Sequence, residues 1–66
     1  MNKNEVKIFV QRFGKYGIKL IIGTNNFVIT GDVVELLEES LVFTAKGETS
    51  FIPYDTINLI SKRGGQ

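Results

Sequence analysis

Apolar residues near the N-terminus recur at the spacing of a helix. Asn4 can cap the start of this helix, and Gly14 follows its last periodic residue as a plausible stop. The pattern therefore predicts a helix over residues 4–13, while the β-branched residues inside it leave a strand as the alternative. The positions at i, i+3, i+4 and i+7 that form the apolar face are Val6, Phe9, Val10 and Phe13.

Beyond Gly17 the pattern changes to period two and to short apolar runs that are bounded by turn residues. Such runs are typical of half-buried and buried strands. Because the connections are short, the strands form an antiparallel meander that can curl on itself. The five strands are predicted over residues 18–22, 27–37, 41–45, 49–52 and 56–61.

Two residues predict where the meander bends. Gly31 lies in the middle of a long strand, and it permits the sharp bend by which one strand serves both halves of a small barrel. An ordinary bulge is the alternative for Gly31. Pro53 lacks a backbone donor and forces a corner before the last strand. The predicted core consists of inward-facing apolar positions: Val6, Phe9, Val10, Phe13, Ile18, Leu20, Ile22, Ile29, Val33, Leu41, Phe43 and Ile57.

The last two predicted strands, residues 49–52 and 56–61, contain no charged residue. Both lie at or near an open end of the meander, where uncharged apolar edges favour aggregation unless they are paired. We expect strand four of one copy to add to strand five of the next, which closes into a ring if the rotation allows. The alternative is that the N-terminal segment covers one edge while Pro53 protects the other.

The length of 66 residues fits one small domain, with a helix at about 4–13, a barrel at about 17–61 and a flexible tail at 62–66. The chain has no cysteine and no histidine, which excludes disulfides, ordinary zinc sites and catalysis by either residue. We therefore expect no enzyme activity, no cofactor and no metal. Oligomerisation remains as support for so small a core.

The sequence has no apolar run long enough for a membrane span and no signal-peptide pattern. We expect a cytoplasmic protein with no membrane partner. The net charge is +1, but residues 1–19 carry +4 and residues 20–45 carry −4. In a ring, the basic residues of the N-terminal segment would be repeated in every copy and form a phosphate-binding surface. The alternative is that they are simply exposed to solvent, as basic residues on short helices usually are. These basic residues are Lys3, Lys7, Arg12, Lys15 and Lys19.

Several segments resemble the Sm-like family of small barrels and, within it, the bacterial Hfq-like proteins. They are residues 18–22, the turn that ends in Asn25-Asn26-Phe27, residues 28–35 around Gly31, residues 41–43, and residues 51–57 around Pro53-Tyr54. The resemblance spans residues 4–61. It implies a mainly β fold in which an N-terminal α-helix precedes a five-stranded, strongly bent antiparallel SH3-like barrel of the Sm type. It also implies a homo-oligomeric ring, commonly of six or seven copies, that binds single-stranded RNA.

The resemblance also implies binding residues. The family's adenine pocket falls at Ile21, Phe27 and Thr30, and the tyrosine of its Tyr-Lys-His corner falls at Tyr54. The alternative for Ile21 and Phe27 is that both belong to the core. The aromatic residue on which the family stacks uridine falls at Ser40, and a hydroxyl group cannot stack. We predict that the ring binds RNA or other single-stranded nucleic acid without catalysis. The predicted contacts are Ile21, Phe27, Thr30 and Tyr54, together with the basic residues of the N-terminal segment. The alternative is a structural or protein-interaction barrel that lacks RNA binding.

Overall fold

The helix and the five antiparallel strands that the pattern predicts are present in the computed structural model, which describes residues 1–15 and 18–63. A 3₁₀ turn at Tyr54–Thr56 makes the corner that Pro53 predicts. Along the chain the elements are α1 (Lys3–Phe13), β1 (Leu20–Thr24), β2 (Val28–Leu36), β3 (Ser40–Ala45), β4 (Glu48–Pro53) and β5 (Ile57–Lys62).

Helix α1 begins earlier than the sequence pattern predicts. The cap is Asn2, whose side chain accepts a hydrogen bond of 2.7 Å from the backbone N–H of Asn4. The prediction of Asn4 as the cap is therefore wrong, because an asparagine two residues upstream already satisfies this donor. Gly14 ends the helix as predicted, and its N–H donates to the Val10 carbonyl.

The strands form one sheet in the order β4-β3-β2-β1-β5, with every pairing antiparallel. Strand β2 changes partner in its middle: it pairs with β1 from Val28 to Gly31 and with β3 from Asp32 to Leu36. Gly31 is buried, and a Cβ atom placed there would lie 2.1 Å from the Thr44 carbonyl oxygen. Strand β2 thus pairs with both halves of the sheet, which is not closed into a barrel, and glycine is needed at position 31 because β3 passes so closely.

The sheet is open, since β4 and β5 form its two outer edges and are not paired with each other. Strand β4 pairs with β3 alone, through the tight turn at Lys46 and Gly47. Both turn residues have positive φ angles, of 52° and 79°, as two-residue hairpin turns of the I′ type require. Strand β5 returns to pair with β1. The two strands lie at the edges as predicted, but as observed each ends in one charged residue, Glu48 in β4 and Lys62 in β5. The N-terminal ammonium group of Met1 also donates a hydrogen bond to the Ile57 carbonyl of β5, which is the kind of contact that the alternative expects.

The core lies between α1 and one face of the sheet. Val42, Ile52 and Tyr54 are buried although the sequence does not mark them as core. Ile18 was predicted to be core in the first strand, which is wrong: it is half-buried, precedes β1 and lies outside the core cluster. Phe9, Phe13, Ile29 and Val33 are partly buried against the cluster. The predicted core residues that are buried are Val6, Val10, Leu20, Ile22, Leu41, Phe43 and Ile57.

The C-terminal tail is shorter than predicted. Lys62 belongs to β5, and the N–H of Arg63 donates to the Lys19 carbonyl at 3.0 Å. Residues 64–66 of the predicted tail, and Gly17 at the predicted start of the barrel, lie outside the described residues. Over residues 1–15 and 18–63, no helix has the length and apolar character that crossing a membrane requires.

Candidate nucleic-acid interface

Two residues of the predicted adenine pocket lie side by side on the outer face of the sheet. Ile21 and Thr30 are cross-strand partners in β1 and β2. Ile21 lies between the buried residues Leu20 and Ile22, so its side chain points away from the core. The structure thus brings Ile21 and Thr30 together on a solvent-facing surface.

Phe27, the third residue of that pocket, lies in the turn before β2 with 45% of its surface exposed. The hydroxyl oxygen of Thr24 accepts hydrogen bonds from the N–H groups of Asn26 and Phe27, at 3.1 and 3.3 Å. These bonds hold the turn that presents the ring. Phe27 and Thr30 line one shallow pocket of about 370 Å³, between the start of β2 and the β3–β4 turn.

Tyr54 lies in the core rather than on a binding surface. Only 3% of it is exposed, and its hydroxyl donates a hydrogen bond of 2.6 Å to the Leu37 carbonyl. Burial raises the pKa of Tyr54 above its ordinary value. The ammonium group of Lys7 lies 5.7 Å from the ring centroid, a cation–π distance. The Tyr54 ring therefore offers no open face for stacking a base in the single chain.

The predicted basic residues in and next to α1 differ in whether their charge is paired. Lys3 forms a salt bridge of 3.0 Å with Glu38, in the turn between β2 and β3. This hydrogen bond raises the pKa of Lys3 and lowers the pKa of Glu38. Arg12 and Lys15, at and after the helix C-terminus, are exposed. Arg12 and Lys15 thus remain open to an anionic partner, whereas the charge of Lys3 is compensated.

The uneven charge of the sequence is partly cancelled in the fold. Lys3 pairs with Glu38, and Lys19 pairs with Asp32 at 2.6 Å. Each pair joins the basic N-terminal segment to the acidic middle segment of the chain. The expected charge separation between residues 1–19 and 20–45 is therefore smaller in space than along the sequence.

A larger pocket, of about 600 Å³, lies between the two free edges of the sheet and was not predicted from the sequence. Phe51 of β4 is one of its walls and is 71% exposed. On another wall, the side-chain amide of Asn58 donates a hydrogen bond of 2.8 Å to the side-chain oxygen of Asn25. Sequence reasoning identified the strands but not this pocket, because their separation depends on how the sheet curves.

Comparison with known proteins gives this chain no family. Neither a family model, nor a curated protein, nor a solved structure matches it. Among the described side chains, no group of three or more carboxylates is placed to hold a metal ion. The arrangement offers an exposed aromatic ring, polar hydroxyls and unburied cations, which are the groups that contact bases and phosphates.

Proposed function

We propose that this chain is a subunit of a homo-oligomeric ring of the Sm-like type that binds RNA or other single-stranded nucleic acid without catalysis. The observation that carries the proposal is the strand order, which leaves β4 and β5 as two unpaired edges of one open sheet. Addition of one edge to the other in a neighbouring copy satisfies both. Such a contact joins two different surfaces, so it repeats from copy to copy and closes into a ring if the rotation between copies allows.

The composition of the two edges supports this assembly. Phe51 of β4 pairs with Val42, which lies between the core residues Leu41 and Phe43, so Phe51 projects from the outer face. Leu59 of β5 pairs with Gly23 on the same face and is 45% exposed. Burial of two such side chains at each contact contributes about 1.5–3 kcal/mol per side chain if it is complete.

The exposed ring of Phe27 supports the binding of nucleic acid. It lines the same pocket as Thr30, and Ile21 adds an apolar surface beside Thr30. Stacking of a base on an aromatic ring contributes about 1–3 kcal/mol. A ring would present one such pocket for each copy, so successive bases of one strand could occupy successive subunits and add their affinities.

Native mass spectrometry tests the assembly. We expect a single oligomer for the wild type and loss of that oligomer for Phe51→Lys, because the substitution places a charge in every edge-to-edge contact. Val34→Lys is the matched control, since Val34 is also an exposed apolar residue, at 60%, but lies in β2 at the interior of the sheet. A wild-type chain that stays monomeric at micromolar concentration contradicts the ring.

Fluorescence anisotropy with labelled oligo-A, oligo-U and mixed strands at two salt concentrations tests the binding. Affinity should fall as the salt concentration rises, since phosphate contacts release counterions. Phe27→Ala should weaken oligo-A binding by about 5- to 150-fold for each subunit that the strand contacts, because one stacking interaction is lost in each of them. Lys7→Ala should leave the preference for adenine unchanged. The opposite ranking of these two variants argues against the Phe27 pocket.

The second candidate is a structural or protein-interaction module without RNA binding. It is favoured by the burial of Tyr54 and by the salt bridge of Lys3, which remove a stacking surface and a free cation from the helix-bearing side. An oligomer that binds none of the strands at low salt supports this candidate over the first.

A further inference from the structure

A row of polar side chains crosses the sheet on its outer face. Each member is placed by a cross-strand pairing or by the hydrogen bond or ion pair that joins it to its neighbour. Arg63 donates its N–H to the Lys19 carbonyl, Lys19 forms its salt bridge with Asp32, Asp32 pairs with Thr44, and Thr44 pairs with Thr49. The polar row runs from the end of β5 to β4 in the order Arg63, Lys19, Asp32, Thr44 and Thr49.

The polar row is open to solvent because its members alternate with inward-facing residues. The next positions along the strands are Leu20, which is 1% exposed, and Gly31, which is buried. The following positions face outward again and include Ile21 and Thr30. The polar row therefore lies on the same face as Ile21 and Thr30, two residues along each strand from the surface that the proposed function assigns to a nucleobase.

The row forms one wall of a cleft of about 520 Å³ that also contains Lys46 of the β3–β4 turn. Three cations and one carboxylate line this cleft, which gives it a local charge of +2. The carboxylate of Asp32 is already paired with Lys19 at 2.6 Å. Within the described part of the chain, neither Lys46 nor Arg63 forms a salt bridge, so two cations are left for an external anion.

We propose that this cleft binds a phosphate group of the single-stranded nucleic acid. Arg63 and Lys46 supply the charge, and the guanidinium group can bind phosphate oxygens in a bidentate manner. The hydroxyls of Thr44 and Thr49 supply neutral donors of the kind that commonly contact phosphate oxygens. The inference rests on the proposed function and adds to it a defined contact for the backbone, next to the contact for the base.

Paired charge variants test the cleft by the salt dependence of strand binding. Each phosphate contact to a single strand contributes about 0.7 to the slope of log affinity against log salt concentration. The variant with both Lys46→Asn and Arg63→Gln should therefore lose about 1.4 from that slope for each subunit that the strand contacts, if each cation contacts one phosphate. The fold should be retained, because the φ angle of Lys46 is +52° and asparagine tolerates such a value well.

Lys62→Gln is the matched control. Lys62 is adjacent to Arg63 and is also exposed, but its ammonium group lies 5.5 Å from the centroid of the Phe13 ring rather than in the cleft. The change in total charge is half that of the double variant, and the slope should stay at the wild-type value. An unchanged slope for the double variant, with wild-type binding intact, overturns the cleft while the proposed function stands.

A second measurement separates the cleft from the proposed function. Nuclear magnetic resonance titration of the wild-type chain with sodium pyrophosphate should shift the amide signals of Lys46, Thr44 and Thr49, and these shifts should be absent from the double variant. If no strand binds but the shifts are present, the proposed function fails and the phosphate site stands. If the shifts are absent from the wild type as well, the phosphate site is refuted.

Discussion

Replacement of Gly31 by alanine tests the close approach of β2 and β3 at this position. The added Cβ would lie 2.1 Å from the carbonyl oxygen of Thr44 and 3.0 Å from the Phe43 ring. Ordinary Cβ contacts lie at 3.4–4 Å, so β2 and β3 must separate by more than an ångström at this point. The nearest atom belongs to the backbone of a paired strand, and no side-chain rotation can relieve the contact.

The expected cost follows from two contributions. Overpacking of a tight interior costs about 1–3 kcal/mol, and separation at the Asp32–Thr44 pair weakens ladder hydrogen bonds that contribute about 0.5–1.5 kcal/mol each. Alanine also restricts the unfolded chain, which offsets about 0.4–1 kcal/mol. Together they give a loss of about 3 kcal/mol in the free energy of unfolding, or roughly 12–24 °C in the melting temperature of so small a domain.

Urea unfolding followed by far-ultraviolet circular dichroism measures this loss. Gly47→Ala is the control, because Gly47 has a φ of +79° but no atom within 4 Å of an added Cβ. It should cost only the left-handed backbone penalty of about 1–2 kcal/mol. All samples need the same protein concentration, since assembly adds a concentration-dependent stability. If Gly31→Ala costs no more than Gly47→Ala, close approach of β3 is not what requires the glycine.

Two substitutions and one pH dependence test individual hydrogen bonds of the fold. Tyr54→Phe removes the hydrogen bond to Leu37 and should cost about 1 kcal/mol in urea unfolding at neutral pH. Burial raises the pKa of Tyr54 above the ordinary value of 10.0, so wild-type stability should fall as the pH rises above that value, since the unfolded state releases this proton first. A phenylalanine variant with the same alkaline loss would contradict this assignment. Asn2→Ala removes the helix cap and should cost about 0.5–2 kcal/mol by thermal unfolding, whereas no loss would mean that Asn2 does not act as a cap.

Those parts of the fold that depend on the spacing of apolar residues within one element were predictable from the sequence. The periodicity of α1 placed Val6 and Val10 in the core, and both are buried. Gly31 was recognised as an interruption of a long strand, but the close approach of Thr44 in β3, which requires glycine there, depends on strand pairing and not on local spacing. Tyr54 was missed as a core residue because its contacts are distant along the chain: its hydroxyl, for example, donates to the Leu37 carbonyl 17 residues away. Long-range contacts of this kind leave no periodic signal.

The candidate site was predictable as a set of residues but not as an arrangement. Ile21 and Thr30 were expected to act together, and their register makes them neighbours. The pairing of Lys3 with Glu38 spans 35 positions, and no local pattern indicates it. The polar row depends on the register of four strand pairs, and a slip of one residue in any pair would turn its side chains to the other face. Such a row cannot be read from composition.

The pairing of β5 with β1 has a consequence for how the chain folds. Strands β2, β3 and β4 are joined to their neighbours by short turns and can form as successive hairpins, whereas the pairing of Leu20 with Lys62 joins two strands that have three other strands between them in the chain. Closure of so long a loop is entropically costly and slow compared with a hairpin. During synthesis, one edge of β1 can pair with β2 early, whereas its other edge stays unpaired until β5 has also emerged from the ribosome.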